Sequence, residues 1–255
     1  MTFEKRTALV TGAGRGIGRE IALGLAREGA RVAALARSAD QVEETAKLIR
    51  AGGGEALAVP ADVASPAVRA AAQRTVADAY GPVDILVNNA AVVWPLGPSA
   101  TLDPAAWETA IAINVTAVAG LTFALLPSML ERGWGRIVNV SSGVVDRPAS
   151  MIGGNAYATS KAALEAHTVN LAAELDGTGV TVNAYRPGSV DTAMQEWIRS
   201  RDEADIPGLH QRFHRAYREG QLITPQASAA VLLAHLARTG TGQIWDVADQ
   251  VPGTA

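Results

Sequence analysis

The 255-residue sequence contains no cysteine, and this absence excludes several kinds of chemistry at once. Without thiols, the chain has no disulfide, no thiolate nucleophile and no thiolate metal site. Lys and Arg (22) nearly balance Asp and Glu (25), so the formal charge is only −3. The charge gives no electrostatic reason to expect nucleic acid or an anionic membrane as a partner. The composition favours small-molecule chemistry and fits the reducing cytoplasm.

Long apolar runs are also lacking. The longest apolar stretch, residues 115–130, is interrupted by hydroxyl side chains and Pro127, and it falls short of the roughly 20 clean residues that a membrane span needs. The first apolar run stops at Thr11 and Gly12, which is too early for a signal peptide. We therefore predict a soluble protein with no membrane partner.

Short runs of Val, Ile, Leu and Ala alternate with longer amphipathic segments, as in βαβ units around a parallel sheet. The predicted strands are residues 7–11, 31–36, 56–61, 83–88, 135–141, 180–185 and 243–247. The predicted helices are residues 16–28, 39–51, 66–79, 104–132, 156–176 and 225–237. The pattern predicts a single α/β domain over residues 1–255: a Rossmann-type, doubly wound sheet of seven parallel strands with helices on both faces.

One segment, residues 192–224, breaks this rhythm with a charged stretch that carries aromatic residues. A connection of this length is usually functional, so we predict a lid or substrate loop. His210 and His214 are four residues apart and would share a face of a helix. Their spacing fits a solvated face better than a metal site, and we predict no metal.

A glycine-rich segment directly follows the first predicted strand and opens the first predicted helix. Backbone without Cβ atoms turns tightly and approaches a pyrophosphate, whose charge then meets the free N–H groups of the helix. A structural turn alone would also explain glycines, but the strand-to-helix setting favours phosphate binding. The candidate residues of this T-G-x-x-x-G-x-G segment are Thr11, Gly12, Gly14, Arg15, Gly16, Ile17 and Gly18.

Tyr157 and Lys161 are four residues apart in a predicted helix and therefore share one face. A free tyrosine, with a pKa of about 10, exchanges protons poorly at neutral pH. A cation at roughly 4 Å contributes about 4 kcal/mol at an effective dielectric near 20, and one pKa unit corresponds to about 1.4 kcal/mol. We therefore predict that Lys161 lowers the pKa of Tyr157 into a useful range, although an ordinary exposed pair has the same spacing.

Together these motifs resemble the short-chain dehydrogenase/reductase family, and the resemblance covers nearly the whole chain. The resemblance implies a nicotinamide dinucleotide as cofactor. Beyond the glycine segment, Tyr157 and Lys161, the implied cofactor contacts are Asp62, Val63, Asn89, Ala90, Pro187, Gly188, Val190 and Thr192. Ala91 departs from the family's N-N-A-G motif, in which this position is glycine.

The resemblance also implies the catalytic roles. Tyr157 exchanges the proton with the substrate oxygen, Lys161 holds the ribose, and Asn114 orders a water beside Lys161. Ser142 donates a hydrogen bond to the substrate oxygen. The spacing from Ser142 to Tyr157 is two residues longer than the common pattern, so Ser141 stays open as an alternative.

The second predicted strand ends on Ala36, where relatives specific for NAD carry an acidic residue. Arg37 follows, and Arg15 lies in the glycine segment. A guanidinium matches a 2′-phosphate in charge and in bidentate geometry. We therefore predict NADP(H) as cofactor, while a solvated Arg37 is the plainer alternative.

The predicted activity is NADPH-dependent reduction of a carbonyl, a ketone, diketone or keto ester, to an alcohol. An oxidative NAD(P)-dependent alcohol or sugar dehydrogenase and a catalytically silent cofactor-binding regulator remain as alternatives. The residues after Val190 faintly resemble ketone and diketone reductases of the sepiapterin-reductase type. Family resemblance implies a homotetramer or homodimer built on the long helices. Candidates for the apolar substrate wall are Trp94, Val144, Val145, Met151, Met194, Trp197 and Ile198.

Overall fold

The computed structural model describes residues 3–249, which form an α/β fold around one parallel sheet. The strands are β1 (Thr7–Thr11), β2 (Arg31–Ala36), β3 (Ala56–Pro60), β4 (Ile85–Asn88), β5 (Gly135–Val140), β6 (Val180–Arg186) and β7 (Ile244–Asp246). Their order is β3-β2-β1-β4-β5-β6-β7, and every neighbouring pair is parallel. The predicted Rossmann-type sheet of seven parallel strands is confirmed.

Helices cover both faces of the sheet, because side chains alternate between the two faces along each strand. In β1, Val10 packs into the core layer under α1 and α9, whereas Leu9 packs into the layer under α3, α5 and α6. The helices are α1 (Gly16–Arg27), α2 (Ala39–Ala51), α3 (Pro66–Tyr80), α4 (Pro104–Ile111), α5 (Ala117–Glu131), α6 (Asn155–Glu174), α7 (Ala193–Arg199), α8 (Pro207–Arg218) and α9 (Pro225–Leu236).

Two predicted segments differ from the structure in kind. The predicted helix over residues 104–132 is divided, because a π-helical turn, Ala112–Thr116, lies between α4 and α5. Residues 192–224, predicted as a lid or loop, contain the two helices α7 and α8. The inserted stretch between Ser142 and Tyr157 holds two 3₁₀ turns, Gly143–Val145 and Pro148–Met151. Other boundaries agree to within two residues.

The continuous helical segment Pro104–Glu131 is apolar and long enough to cross a membrane by length and composition. In this structure it is a core element, because Ile113, Leu121 and Met129 are buried in the layer beneath the sheet. A buried helix of an α/β fold meets the same criteria as a membrane span. The feature therefore gives no separate support for a membrane partner.

The chain reverses its direction of travel across the sheet between β3 and β4, so that β1 and β4 are neighbours. At such a switch point the loops after the two strands separate and leave a crevice at the carboxyl edge of the sheet. The residues that follow β1 and β4 are the glycine segment and Asn89. The topology thus brings together motifs that are far apart in the sequence.

Candidate active site

A cleft of about 810 Å³ opens at this carboxyl edge. It collects residues from the loops after β1, β2, β3, β4, β5 and β6, as expected for a dinucleotide site. The predicted residues that line it are Gly12, Gly14, Arg15, Gly16, Ile17, Gly18, Arg37, Asp62, Val63, Asn89, Ala90, Trp94, Tyr157, Lys161, Pro187, Thr192, Met194 and Trp197. Thr11, Asn114, Ser142, Val144, Gly188 and Val190 are not among its lining residues.

The glycine segment has no room for side chains at two of its positions. Gly12 has a φ of 66°, which favours glycine. A Cβ atom at Gly18 would lie 2.4 Å from the Gly12 oxygen and 2.4 Å from Asn89 Nδ2. The amide of Asn89 fills this space, because it donates to the carbonyl oxygens of Thr11 (2.9 Å) and Gly12 (3.3 Å). The segment is therefore shaped to bring bare backbone to a ligand, and it fits a dinucleotide pyrophosphate.

Thr11 supports the cleft from behind instead of lining it. Its Oγ1 atom accepts hydrogen bonds from the backbone N–H groups of Asn89 and Ala90, both at 3.0 Å, and donates to the carbonyl oxygen of Val87 at 3.3 Å. The side chain is 2% exposed. Thr11 thus joins the loop after β1 to the loop after β4.

At the far end of the cleft, Ala36 closes β2 and Arg37 follows it, both among the lining residues. Arg15 and Arg37 are exposed. Within residues 3–249, neither guanidinium has a hydrogen-bond or ion-pair partner. Ser38 and Gln41, which the sequence analysis missed, line the same end. Two unpaired guanidinium groups beside hydroxyl and amide donors fit a phosphate monoester.

The catalytic candidates meet where β5 ends and α6 begins. The Ser142 side chain lowers the pKa of Tyr157 and so favours the phenolate. Burial has the larger effect, however, and raises the pKa of Tyr157 above its ordinary value of 10. The prediction that Lys161 lowers this pKa is therefore wrong, because burial sets the direction of the shift and Lys161 is not among the groups that oppose it. Tyr157 is held as a neutral phenol that can donate a proton.

Lys161 lies on α6 one turn after Tyr157 and is only 3% exposed. Its Nζ atom donates to the carbonyl oxygen of Val140 at 2.7 Å and lies 5.6 Å from the centre of the Tyr157 ring. Burial lowers the pKa of Lys161 to about 8, while the negative charge of Glu165 opposes that change. Lys161 is therefore a buried cation at neutral pH that gives up its proton within reach of physiological pH.

Asn114 lies in the π-helical turn between α4 and α5 and is 1% exposed. Its Nδ2 atom donates to the Val92 oxygen (2.8 Å) and to Ser160 Oγ (3.0 Å), while its Oδ1 atom accepts from the Val92 N–H (2.9 Å). Both amide hydrogens are used. The side chain therefore joins the loop after β4 to α6, and its predicted role in ordering a water is not tested by these contacts.

The two serines after β5 have different partners. Ser141 donates its hydroxyl hydrogen to Glu165 Oε1 at 2.7 Å and is 1% exposed. Ser142 accepts from the Val144 N–H at 3.3 Å and is hydrogen-bonded to Tyr157. Of the two, Ser142 is the one whose side chain affects the pKa of Tyr157, which it lowers against the effect of burial.

An apolar cluster adjoins the tyrosine and holds the remaining wall candidates. Trp94, Met194 and Trp197 line the cleft itself. Behind them, Val144, Val145, Met151 and Ile198 belong to one cluster that also includes the Tyr157 ring. Glu196 and Ser200 line the cleft as well and were missed, because no sequence signal indicates that residues 193–199 are helical.

The segment after β6 forms the opposite wall. Pro187 and Thr192 line the cleft. Gly188 has a φ of 75°, and a Cβ atom there would lie 2.6 Å from the Val247 side chain. Val190 is buried and forms an isolated bridge with Ile223. Gly188 and Val190 therefore shape this segment from outside the cleft.

Comparisons with known proteins show the family of this chain. Residues 6–203 match the family model for short-chain dehydrogenases. A ketoacyl reductase, HetN, from Nostoc sp. is 38% identical over 189 residues, covering 74% of this chain and 65% of HetN. The matched part of the chain thus spans just under two thirds of that curated relative.

Two solved structures overlay almost the entire chain. One is provisionally assigned as an NAD(P)-dependent gluconate 5-dehydrogenase from Beutenbergia cavernae, with NADP bound at low occupancy; it is 38% identical, covers 96% of both chains and has a TM-score of 0.83. The other, a single-residue variant of actinorhodin polyketide ketoreductase with NADPH, is 35% identical, covers 95% of both chains and has the same TM-score of 0.83.

The cleft at the carboxyl edge fits a dinucleotide, and the family match spans residues 6–203. The chain belongs to the short-chain dehydrogenase/reductase family.

Proposed function

We propose that this enzyme uses NADPH to reduce a ketone, diketone or keto ester to an alcohol. The observation that carries the proposal is the half-buried Tyr157 phenol, whose pKa burial raises, next to Ser142 and the buried Lys161. A proton donor of this kind suits the reduction of a carbonyl, because the alkoxide that forms needs a proton.

The nicotinamide, when bound, supplies a hydride to the carbonyl carbon. The Ser142 and Tyr157 hydroxyls hold the carbonyl oxygen by hydrogen bonds, and Tyr157 gives its proton to that oxygen as negative charge develops there. Lys161 remains protonated below about pH 8 and returns a proton to Tyr157. Its ammonium group has two hydrogens besides the one given to Val140, and these can hold ribose hydroxyls.

The preference for NADPH over NADH belongs to the same proposal. It is supported by the two unpartnered guanidinium groups of Arg15 and Arg37, and by Ala36 at the end of β2. An acidic side chain at Ala36 would repel a 2′-phosphate. Two similar structures contain NADP or NADPH and another contains NADH, so the comparisons support a nicotinamide cofactor and the preference rests on the residues at the end of β2.

The test is steady-state oxidation of NADPH, with NADH in parallel, against a panel of ketones, α-diketones, β-keto esters and quinones. We expect turnover with NADPH, and a loss of at least about 10²-fold in Tyr157→Phe with NADPH binding retained. Tyr80→Phe is the matched control, because Tyr80 ends α3 and does not line the cleft. Near-normal turnover by folded Tyr157→Phe would refute the scheme.

A second candidate is oxidation of an alcohol or sugar, which the 38% identity to the gluconate 5-dehydrogenase structure favours. The same enzyme preparation is therefore assayed with NADP⁺ and NAD⁺ against gluconate and simple secondary alcohols. Faster oxidation of alcohols than reduction of any ketone would favour this candidate. No turnover in either direction, with tight NADPH binding, would favour a catalytically silent regulator.

We also propose that the protein is cytoplasmic and assembles as a homodimer or homotetramer through its long helices. Phe123 on α5 is 57% exposed and its ring meets His167 of α6 edge-on at 5.8 Å, while Val169 is 45% exposed. Apolar surface of this kind favours contact with another copy. Light scattering of the wild type and of Phe123→Glu tests the assembly, and a monomeric wild type would refute it.

A further inference from the structure

A buried ion pair lies directly behind the catalytic residues. Glu165 is on α6, one turn after Lys161, and its carboxylate is 5% exposed. Arg186, the last residue of β6, donates from Nε to Glu165 Oε1 and from Nη2 to Glu165 Oε2, both at 2.8 Å. Such a bidentate pair fixes both side chains in orientation.

The same pair is attached to the Ser142 segment on both sides. Ser141, just before it, donates to Glu165 Oε1 at 2.7 Å. Asp146, just after the 3₁₀ turn that follows Ser142, forms a short ion pair with Arg186 Nη1. Ser142 therefore lies between two residues, Ser141 and Asp146, that are both bonded to this pair. Glu165, one member of the pair, is on the same helix as Tyr157 and Lys161.

We propose that Glu165 and Arg186 are positioning residues, which hold Ser142 at Tyr157 and keep a compensating negative charge beside Lys161. This role rests on the proposed function for its kinetic consequences only. Ser141, Asp146 and Arg186 link the end of β5, the inserted stretch and β6 to α6. One pair therefore sets the position of the Ser142 segment relative to the helix that carries Tyr157 and Lys161.

The charged groups around Lys161 explain how the Glu165–Arg186 pair affects the protonation of Lys161. Among the described residues, Glu165 is the group whose charge opposes the effect of burial on Lys161. The other charged groups of this cluster are Arg186 from β6 and Asp146 from the 3₁₀ turn, and Tyr157 faces Lys161 from α6. Neutralising Glu165 leaves the exposed carboxylate of Asp146 as the ion-pair partner of Arg186. It also removes the negative charge that favours the charged form of Lys161.

The direct experiment is a titration that does not depend on activity. The sequence contains only three lysines, Lys5, Lys47 and Lys161, so protein labelled with ¹³Cε-lysine gives three resonances. The Lys161 resonance is the one lost in Lys161→Arg. We expect its midpoint to fall by about one pH unit or more in Glu165→Gln, and an unmoved midpoint would overturn the proposal.

Kinetics provide the second readout. We expect Glu165→Gln to lower kcat by on the order of tenfold or more, because small misplacements of reacting groups are costly, with the KM for NADPH nearly unchanged. In a plot of kcat against pH, the fall in kcat at alkaline pH should begin at a lower pH in Glu165→Gln than in the wild type. Asp146→Asn should lower kcat less and leave the Lys161 midpoint in place, because Asp146 is bonded to Arg186.

The matched control is Asp84→Asn. Asp84 is a buried carboxylate that pairs with Arg6 and Arg132, both at 3.3 Å, far from the cleft at the other edge of the sheet. We expect this variant to lose stability and keep kcat. If Glu165→Gln does not fold, the pair is replaced together by Glu165→Gln/Arg186→Met, since paired removal avoids a lone buried charge.

The outcomes separate the two proposals. A wild type without turnover in either direction defeats the proposed function, whereas the Lys161 titration still tests the pair. A wild type that reduces ketones, together with folded Glu165→Gln at full kcat, refutes the positioning role. The positioning role is supported if Glu165→Gln has a lowered kcat and Glu165→Asp, which keeps the carboxylate, has a kcat between that of Glu165→Gln and that of the wild type.

Discussion

The Nζ atom of Lys161 donates a hydrogen bond to the carbonyl oxygen of Val140 at 2.7 Å. Val140 is the last residue of β5, and the catalytic serine candidates follow it. The bond compensates part of the cost of burying an ammonium group. It also holds the Lys161 side chain at the end of β5, two residues before Ser142. Strand β5 and helix α6 are thus coupled through the side chain that the proposed chemistry needs.

Because Lys161 is buried, we predict that it lowers the free energy of unfolding while the activity requires it. Its pKa falls from 10.5 to about 8 on folding, so between those two values the unfolded chain binds more protons and stability rises with pH. Below pH 8 the full cost of the buried charge remains. We expect Lys161→Met to abolish turnover, and its gain in unfolding free energy should be larger at pH 7 than at pH 10 by about 2 kcal/mol.

Urea unfolding of both proteins at pH 7 and pH 10 provides the measurement. Lys47→Met on α2 is the control, because Lys47 is exposed. An equal effect of Lys161→Met at the two pH values would contradict the predicted cost.

The two serines after β5 should differ strongly in their contribution. We expect Ser142→Ala to lower kcat by about 10²-fold, which is typical for the loss of one donor to a developing oxyanion. Ser141→Ala should lower kcat less than Ser142→Ala does. The Ser141 hydroxyl hydrogen is donated to Glu165 and is therefore not free to bind the substrate oxygen. Steady-state kinetics of the two variants decides between them, and the reverse order would assign the role to Ser141.

Cofactor preference should depend on the end of β2. In Ala36→Asp/Arg37→Ala, we expect the ratio of kcat/KM for NADPH to that for NADH to fall by about tenfold or more, because a charged hydrogen bond contributes about 1.5–3 kcal/mol. Arg27→Ala is the control, because Arg27 lies in the last turn of α1 outside the cleft. Equal kcat/KM for both cofactors in the wild type would defeat this prediction.

The glycine segment offers a test of packing. Gly18→Ala should lower the free energy of unfolding by about 1–3 kcal/mol, since its Cβ would overlap the Gly12 oxygen and the Asn89 amide. It should also weaken NADPH binding. Gly208→Ala is the control, because nothing lies within 4 Å of a Cβ there, and it should be neutral or slightly stabilising. If Gly18→Ala has the stability of the wild type, the prediction is contradicted, because the Gly12 and Asn89 groups must then move to accept the added methyl group.

The fold was largely predictable because its signals are local. The alternation of short apolar runs with amphipathic segments predicts every strand to within two residues. The divided helix at Asn114 was not predictable, because a π-helical turn adds one residue without changing composition. The helices α7 and α8 were missed because the segment is polar and shows no clear helical pattern of apolar residues. Its buried side chains, Ile198 and Leu209, are identified only by their packing into the cluster beside Tyr157.

Residue type and short spacing were enough to predict the α/β class and the order of the motifs, and to select Tyr157 and Lys161 as candidates. The electrostatics, in contrast, depend on the three-dimensional packing. Desolvation reflects all the atoms around a group, so the pKa of Tyr157 is raised where its one neighbouring charge predicted a lower value. The buried pair of Glu165 and Arg186, 21 residues apart in sequence, likewise forms only because β6 ends beside α6.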